Sequence, residues 1–338
     1  VRTSLDCLSC LIRQTVEASR FVSADPTLHE HVMRDVLRMA AELDLSQAPP
    51  VLTQQVQRRI RQLTRVDDPY RELKRRANEA ALAALPALAA EVRSARDSLT
   101  AALRLAIAGN TMDVGSSGAG SIERIGRELS VAYERPFHGD VDAFRHAVGG
   151  ARKILFLVDN TGEIVIDRLL AEQLPLEHVT FAVRGAPVLN DATRVDATFA
   201  GLDRLAEVID NGSDAPGTVL EDCSAEFRRR FAAADLIVAK GQGNYETLSE
   251  EPRDIFFLFA VKCDVVAQRV GLPRGTQVLL RSPAENSATS HPDASAATKP
   301  ESARLWTLQE PRYGQQPRRA GATRPQHPTR GDDNGRRQ

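Results

Sequence analysis

The chain has 338 residues, 42% of them hydrophobic and 26% charged, with a formal net charge of −1. That is room for one large or two ordinary domains of globular composition, and the near-neutral balance leaves no electrostatic footprint for nucleic acid or an acidic membrane surface. No apolar run approaches the roughly 20 residues of a membrane span. The opening VRTSLDCLSC lacks the basic head and long apolar stretch of a secretory signal, and four cysteines are too few for a disulfide scaffold. A reducing cytoplasm is the expected setting, with no nucleic-acid and no membrane partner; the oligomeric state is left open.

Residues 5–108 read as helices. LDCLSCLIRQTVEASRF places Leu5, Leu8, Leu11, Ile12 and Val16 at helical spacing. PTLHEHVMRDVLRMAAEL repeats the pattern with Pro26 at a first-turn position, and PPVLTQQVQRRIRQLT does so again. The stretch from Asp68 to Gly109 is long and alanine-rich, with Pro86 as a break or kink. Cys7 and Cys10 form C-x-x-C on one helix face, which suits a redox couple, half a zinc site or plain packing. Cys223 and Cys263 stand alone and read as buried apolar packing. IAGNTMDVGSSGAG (107–120) ends the helical stretch and presents Asn110 and Asp113 among glycines, either closing over a site or making a flexible turn.

After residue 150 the texture changes. KILFLVDN (153–160), HVTFAVRG (178–185), AEVIDNG (206–212), DLIVAKGQGN (235–244) and TQVLLRS (276–282) are short apolar runs alternating with helical segments. DIFFLFAVKCD (254–264) suits strand or helix. Near-continuous apolar strands separated by helices imply an α/β fold with a mainly parallel sheet covered on both faces. The expected division is a helical region over 1–150, an α/β domain over 151–282 and a Pro- and Arg-rich tail over 283–338. The tail holds 7 of the 18 prolines and nine basic against six acidic residues, a composition that reads as disordered.

Parallel sheets bind ligands beyond the carboxyl ends of their strands, and four consecutive runs end in polar groups and glycine. The first exits into Asp159, Asn160, Thr161, Gly162 and Glu163; the second into Arg184, Asn190 and Asp191. The third exits into Asp210, Asn211, Ser213 and Asp214; the fourth into Lys240, Gly241, Asn244 and Glu246. Asp159, Asn160 and Asp191 are hard oxygen ligands of the kind that hold Mg²⁺ or Mn²⁺. Lys240 in a glycine-rich turn is a point charge for a phosphate, and glycines such as Gly162 and Gly241 let backbone N–H groups approach an anion. The competing reading makes these residues helix caps and turn formers, the better description of Asn211 and Asp214.

DPYRELKRRANEAAL (68–82), GNTMD (109–113), DNTGE (159–163), RGAPVLNDAT (184–193), NGSDAPGT (211–218), KGQGNYETL (240–248) and VKCDVVA (261–267), in this order, resemble the damage-control phosphatase family, also known as domain of unknown function 89. The early C-x-x-C is similar to its prokaryotic branch. The resemblance covers about residues 5–282 and implies a helical layer packed on an α/β domain. It also implies a phosphatase that uses one divalent ion (Mn²⁺, Mg²⁺, Co²⁺ or Ni²⁺) and acts on small phosphorylated metabolites such as sugar phosphates or phosphopantetheine-like compounds. It matches Asp159, Asn160 and Asp191 to the metal motif, Lys240 to the phosphate-side lysine, and Asn110 and Asp113 to a motif bordering the site.

On this expectation Asp159, Asp191 and Lys240 carry the chemistry. Asn110, Asp113, Gly162, Glu163, Arg184, Lys240, Gly241 and Asn244 face substrate and phosphate. Two other functions stay open: a carboxyl methyltransferase using S-adenosylmethionine, as described for one family branch, and a non-catalytic metabolite-binding or thiol-sensing module around Cys7 and Cys10.

Overall fold

In the computed structural model, which describes residues 1–110 and 131–282, the apolar runs after residue 150 become strands of one sheet. Its members are β1 (Phe137–Gly139), β2 (Ile154–Leu157), β3 (Val179–Val183), β4 (Glu207–Asp210), β5 (Leu236–Lys240), β6 (Ile255–Ala260) and β7 (Gln277–Arg281). They lie in the order β1-β7-β6-β5-β2-β3-β4, and every pair is parallel except β6 with β7. Strands β2, β5 and β6 are buried at every residue, as a sheet covered on both faces requires. The ambiguous run at 254–264 is a strand because Phe256–Ala260 pairs with β7. The sheet also reaches outside the expected 151–282 segment. Phe137–Gly139 has no period of its own and is a strand through its pairing with Gln277–Leu279.

The N-terminal helices are α1 (Leu5–Val22), α2 (Pro26–Ala41), α3 (Pro49–Thr64), α4 (Arg71–Ser94) and α5 (Ser98–Gly109). Ser4 and Asp25 cap α1 and α2 by accepting from the Asp6 and Thr27 amides. The expected long helix is divided at 95–97, where Asp97 caps α5; Pro86, expected as a break, lies inside the continuous α4. Helices α6 (Val141–Gly150), α7 (Glu163–Ala171), α8 (Arg194–Ala200), α9 (Ala225–Ala233), α10 (Gln242–Leu248) and α11 (Asp264–Val270) alternate with the strands. One sheet face packs with α5 and α7 through Leu105, Phe156, Ile166 and Phe181. The other packs with α9 and α10 through Phe227, Phe231, Tyr245 and Phe257. Helices α1–α3 have a smaller core of their own around Leu11, Val36, Leu52, Val56 and Ile60. No described helix is long and apolar enough to cross a membrane. Asp113 and the 283–338 segment lie outside the described residues.

Charge fastens the small helical core to the sheet. Asp214, in the β4–α9 loop, accepts from Gln54 Nε2 at 2.7 Å and Arg58 Nε at 2.9 Å, and pairs with Arg61, all on α3. Burial pushes its carboxyl up, but the hydrogen bonds from Arg58 and Gln54 hold it below the usual carboxylate range. A depressed folded pKa stabilises at neutral pH, and that stabilisation is lost as pH falls through the acid range. Asp214→Asn is therefore expected to cost about 1–3 kcal/mol at pH 7, with the cost shrinking below pH ~4. Urea denaturation across pH measures it, and a pH-independent cost would contradict this role.

Candidate active site

The chain leaves β2 for β3 and β4 on one side, then returns to β5 and β6 on the other. The connections leaving β2 and β5 therefore run to opposite sides, and the crevice of such folds opens between the carboxyl ends of these two strands. Asp159 and Asn160 follow β2 directly. The loop after β3 folds back against them: Ala192 N–H donates to the Asp159 carbonyl at 2.8 Å and Thr161 N–H to the Asn190 carbonyl at 2.9 Å. Asn160 and Asp191 pair as an isolated antiparallel bridge. The turn that returns Asp191 to β2 passes through Leu189 at φ 46°, a left-handed conformation that costs a residue with a Cβ about 1–2 kcal/mol. Residues 31 positions apart in the chain are thereby fixed side by side.

A cavity of about 560 Å³ opens over this junction. Of the residues expected at the site, Asn110, Asp159, Asn160 and Asp191 line it. Glu163, Arg184, Lys240 and Asn244 do not; all four are buried beneath its floor. The expectation had these four facing phosphate; in this structure they lie away from the cavity lining. Lys240 is fully buried on β5, where Nζ donates to Glu163 Oε1 at 2.5 Å, Asp167 Oδ1 at 2.6 Å and the Ala106 carbonyl at 3.0 Å. An ammonium has three donors, so none is left for a ligand. Asn244 donates to the Lys240 carbonyl and accepts from Thr218 Oγ1 at 2.8 Å and Arg184 Nη1 at 3.3 Å. The glycine amides are also committed: Gly162 N–H goes to Asn78 Oδ1 at 2.7 Å and Gly241 N–H to the Leu258 carbonyl at 2.9 Å. Gly241 is required for another reason: with φ +82°, a Cβ there would fall 1.9 Å from Asp159 Oδ2.

Glu163 orients the floor. Its Oε2 accepts from Asn110 Nδ2 at 2.9 Å and Asn160 Nδ2 at 3.0 Å, while Asp159 Oδ2 accepts from the same two amides at 2.8 and 2.7 Å. Turning either carboxamide over would aim its oxygen at two carboxylates, so the NH₂ faces inward and the oxygen is left over. Asn160 Oδ1, Asp191 Oδ1 and the buried Asn110 Oδ1 receive no hydrogen bond from any described residue. Acceptors gathered without donors suit a cation.

The charges agree. Asp159, Asp191, Glu163 and Asp167 stand against Arg184 and Lys240 in the buried layer, with Lys262 on the cavity wall. In this set ionised carboxylates outnumber cations, and the buried Glu246 on the cavity wall adds to that excess, which a divalent ion would offset. Burial, then the Asp191 and Glu163 charges, push the Asp159 carboxyl up to about 7 against the pull of Arg184 and Lys262. Burial also raises Asp191, opposed by Arg184. One ammonium serves two carboxylates below: burial works against Glu163, but Lys240 holds it below its ordinary value, while burial and then the Glu163 charge carry Asp167 up to about 7 despite Lys240. Among the described residues no group of three or more His, Cys, Asp or Glu could hold a metal. The donor set at the floor is two carboxylates completed by carboxamides, the hard-oxygen chemistry of Mg²⁺ and Mn²⁺.

Two features were not legible in the sequence. Lys262, just past β6, is exposed on the cavity wall, and its charge helps to lower the Asp159 and Glu163 carboxyls. Its signal was a fifth polar strand end, hidden while 254–264 suited helix or strand. Cys263, expected in buried apolar packing, does pack against the core but is only half-buried and also lines the cavity, its sulfur 3.5 Å from Gln242 Nε2. Cys7 and Cys10 line the same cavity, whereas Cys223 is buried in the core as expected.

Known proteins share this fold. The model of the "Damage-control phosphatase ARMT1-like domain" matches residues 3–278. A protein of Archaeoglobus fulgidus named damage-control phosphatase is 34% identical over 280 residues, covering 80% of this chain and 96% of the relative. An uncharacterised protein of Methanocaldococcus jannaschii is 34% identical over 297 residues, 83% of this chain and 96% of that protein. A crystal structure of a DUF89 family protein from Pyrococcus horikoshii superposes with a TM-score of 0.74 at 30% identity, covering 84% of this chain and all of that one. With its parallel sheet, its helical layer and a family match spanning almost all described residues, the chain belongs to the damage-control phosphatase ARMT1-like family.

Proposed function

We propose that this chain is a phosphatase that uses one divalent cation to hydrolyse small phosphorylated metabolites. The observation that carries the reading is the cavity floor, where Asp159, Asn160 and Asp191 come together with oxygens that accept no hydrogen bond among the described residues, in a chain similar to proteins named damage-control phosphatases. Asp159, Asn160 and Asp191 would hold the cation, which when bound supplies charge neutralisation at the phosphoryl oxygens. Lys262 draws the phosphate to the open side of the floor. Glu163 and Lys240 act from below by keeping the Asn160 amide turned oxygen-outward. The rest of the substrate lies against Leu11, Tyr70, Leu73 and Leu189, a wall from the helical layer and the β3–α8 loop. A space of this volume admits a metabolite of sugar-phosphate or phosphopantetheine size.

The test is a phosphate-release screen over many phosphorylated metabolites with Mn²⁺, Mg²⁺, Co²⁺ or Ni²⁺, and again with a chelator. Release from a subset of small monoesters, abolished by chelator and restored by cation, is the expected result. Release that survives exhaustive chelation, or none with any cation, would defeat the reading.

A further inference from the structure

We propose that Arg184 is the positioning residue of the cation site, holding the Asp159 and Asp191 carboxylates together from beneath without meeting the phosphate. This rests on the cation reading above.

Arg184 is 2% exposed and among the largest fully buried side chains. A guanidinium inside a protein needs a reason, because its burial is costly unless its donors are met. Here they are met on three sides. Nε donates to Asp191 Oδ2 at 2.7 Å, Nη2 reaches Asp159 Oδ1 at 3.4 Å, and Nη1 reaches Asn244 Oδ1 at 3.3 Å and Thr218 Oγ1 at 3.5 Å. Asn244 is itself fixed by its bond to the Lys240 carbonyl at 2.7 Å. The fork therefore sits in a built socket at the ends of β3 and β5, and its planar geometry sets the spacing of two carboxylates that come from different loops.

The consequence is a division of each carboxylate. Arg184 takes Oδ2 of Asp191 and leaves Oδ1 without a hydrogen bond among the described residues. It takes one site on Asp159 Oδ1, and a carboxylate oxygen has two. The cation keeps a ligand on each residue, while the guanidinium counters their repulsion when the ion is away. Partners that orient ligating groups typically change metal affinity 10–100-fold. A lysine cannot do the same work, because a point charge on a flexible stem does not span two acceptors in fixed geometry.

The experiment measures two affinities in wild type, Arg184→Met and Arg184→Lys. Mn²⁺ binding is followed by the electron paramagnetic resonance of free Mn²⁺, and inorganic phosphate binding by its inhibition constant at saturating Mn²⁺. Circular dichroism confirms folding, and Arg184→Lys carries the test if Arg184→Met does not fold. The expected result is Mn²⁺ affinity weakened about 10–100-fold in both variants, with the phosphate constant within about twofold of wild type. Unchanged Mn²⁺ binding with phosphate inhibition weakened tenfold would overturn the proposal and return Arg184 to the substrate. Wild-type Mn²⁺ affinity in Arg184→Lys would overturn it too, leaving only a counter-charge. Failure of the wild type itself to bind Mn²⁺ would overturn it by removing the cation reading on which it stands.

Discussion

Asp159→Ala and Asp191→Ala are each expected to lower phosphate release at least about 1000-fold, since the several kcal/mol supplied by a positioned cation convert to about that factor. The two should differ in stability. Asp191 is the 2.7 Å partner of the buried Arg184, so its loss strands Nε and should cost about 1–3 kcal/mol. Asp159 is itself disfavoured by burial and by its carboxylate neighbours; its removal relieves repulsion and leaves Arg184 paired with Asp191. In the cation-free protein Asp159→Ala should thus unfold at no lower urea concentration than Asp191→Ala. Activity within tenfold of wild type in both variants would be incompatible with the proposed function.

Lys240→Met is the second large effect, and it falls on stability first. Lys240 is the ammonium bonded to Glu163 and Asp167, and all three side chains are fully buried. Removing one member of such a pair typically costs 3–5 kcal/mol, because it leaves uncompensated charge in the interior. Proton uptake by Asp167 offsets part of this, since burial already carries that carboxyl to about 7. Denaturant unfolding should therefore show a loss of about 3 kcal/mol or more at pH 8, smaller at pH 6. A lysine that met only phosphate would leave stability unchanged and raise KM; that result would return Lys240 to the cavity.

The sequence made the strand ends legible because parallel sheets concentrate function there, and Asp159, Asn160 and Asp191 do meet in the cavity floor. It did not show depth. Lys240, Arg184 and Asn244 sit at the same strand ends but beneath the floor, and a linear order of motifs does not separate the upper tier from the lower. A signal for Lys240 was present. In EIVIDRLLA, Glu163 and Asp167 lie one turn apart on a helix otherwise apolar through that turn, and buried carboxylates at i and i+4 call for a buried cation. LIVAK, an apolar strand ending in its one charged residue, supplies it. β1 had no comparable signal, since Phe137–Gly139 is a strand only through β7. Pro86 inside α4 shows the opposite case, a local breaker overridden by the rest of its helix.

Direct titration with Mn²⁺, read from the resonance of the free ion, tests the central claim without reference to any substrate. Wild type should take up one Mn²⁺ per chain, and Asp191→Asn, which keeps the size of the side chain while removing its charge, should lose that affinity at least tenfold. Binding that is absent from wild type, or equal in the two proteins, would contradict the assignment of this cavity floor as a cation site.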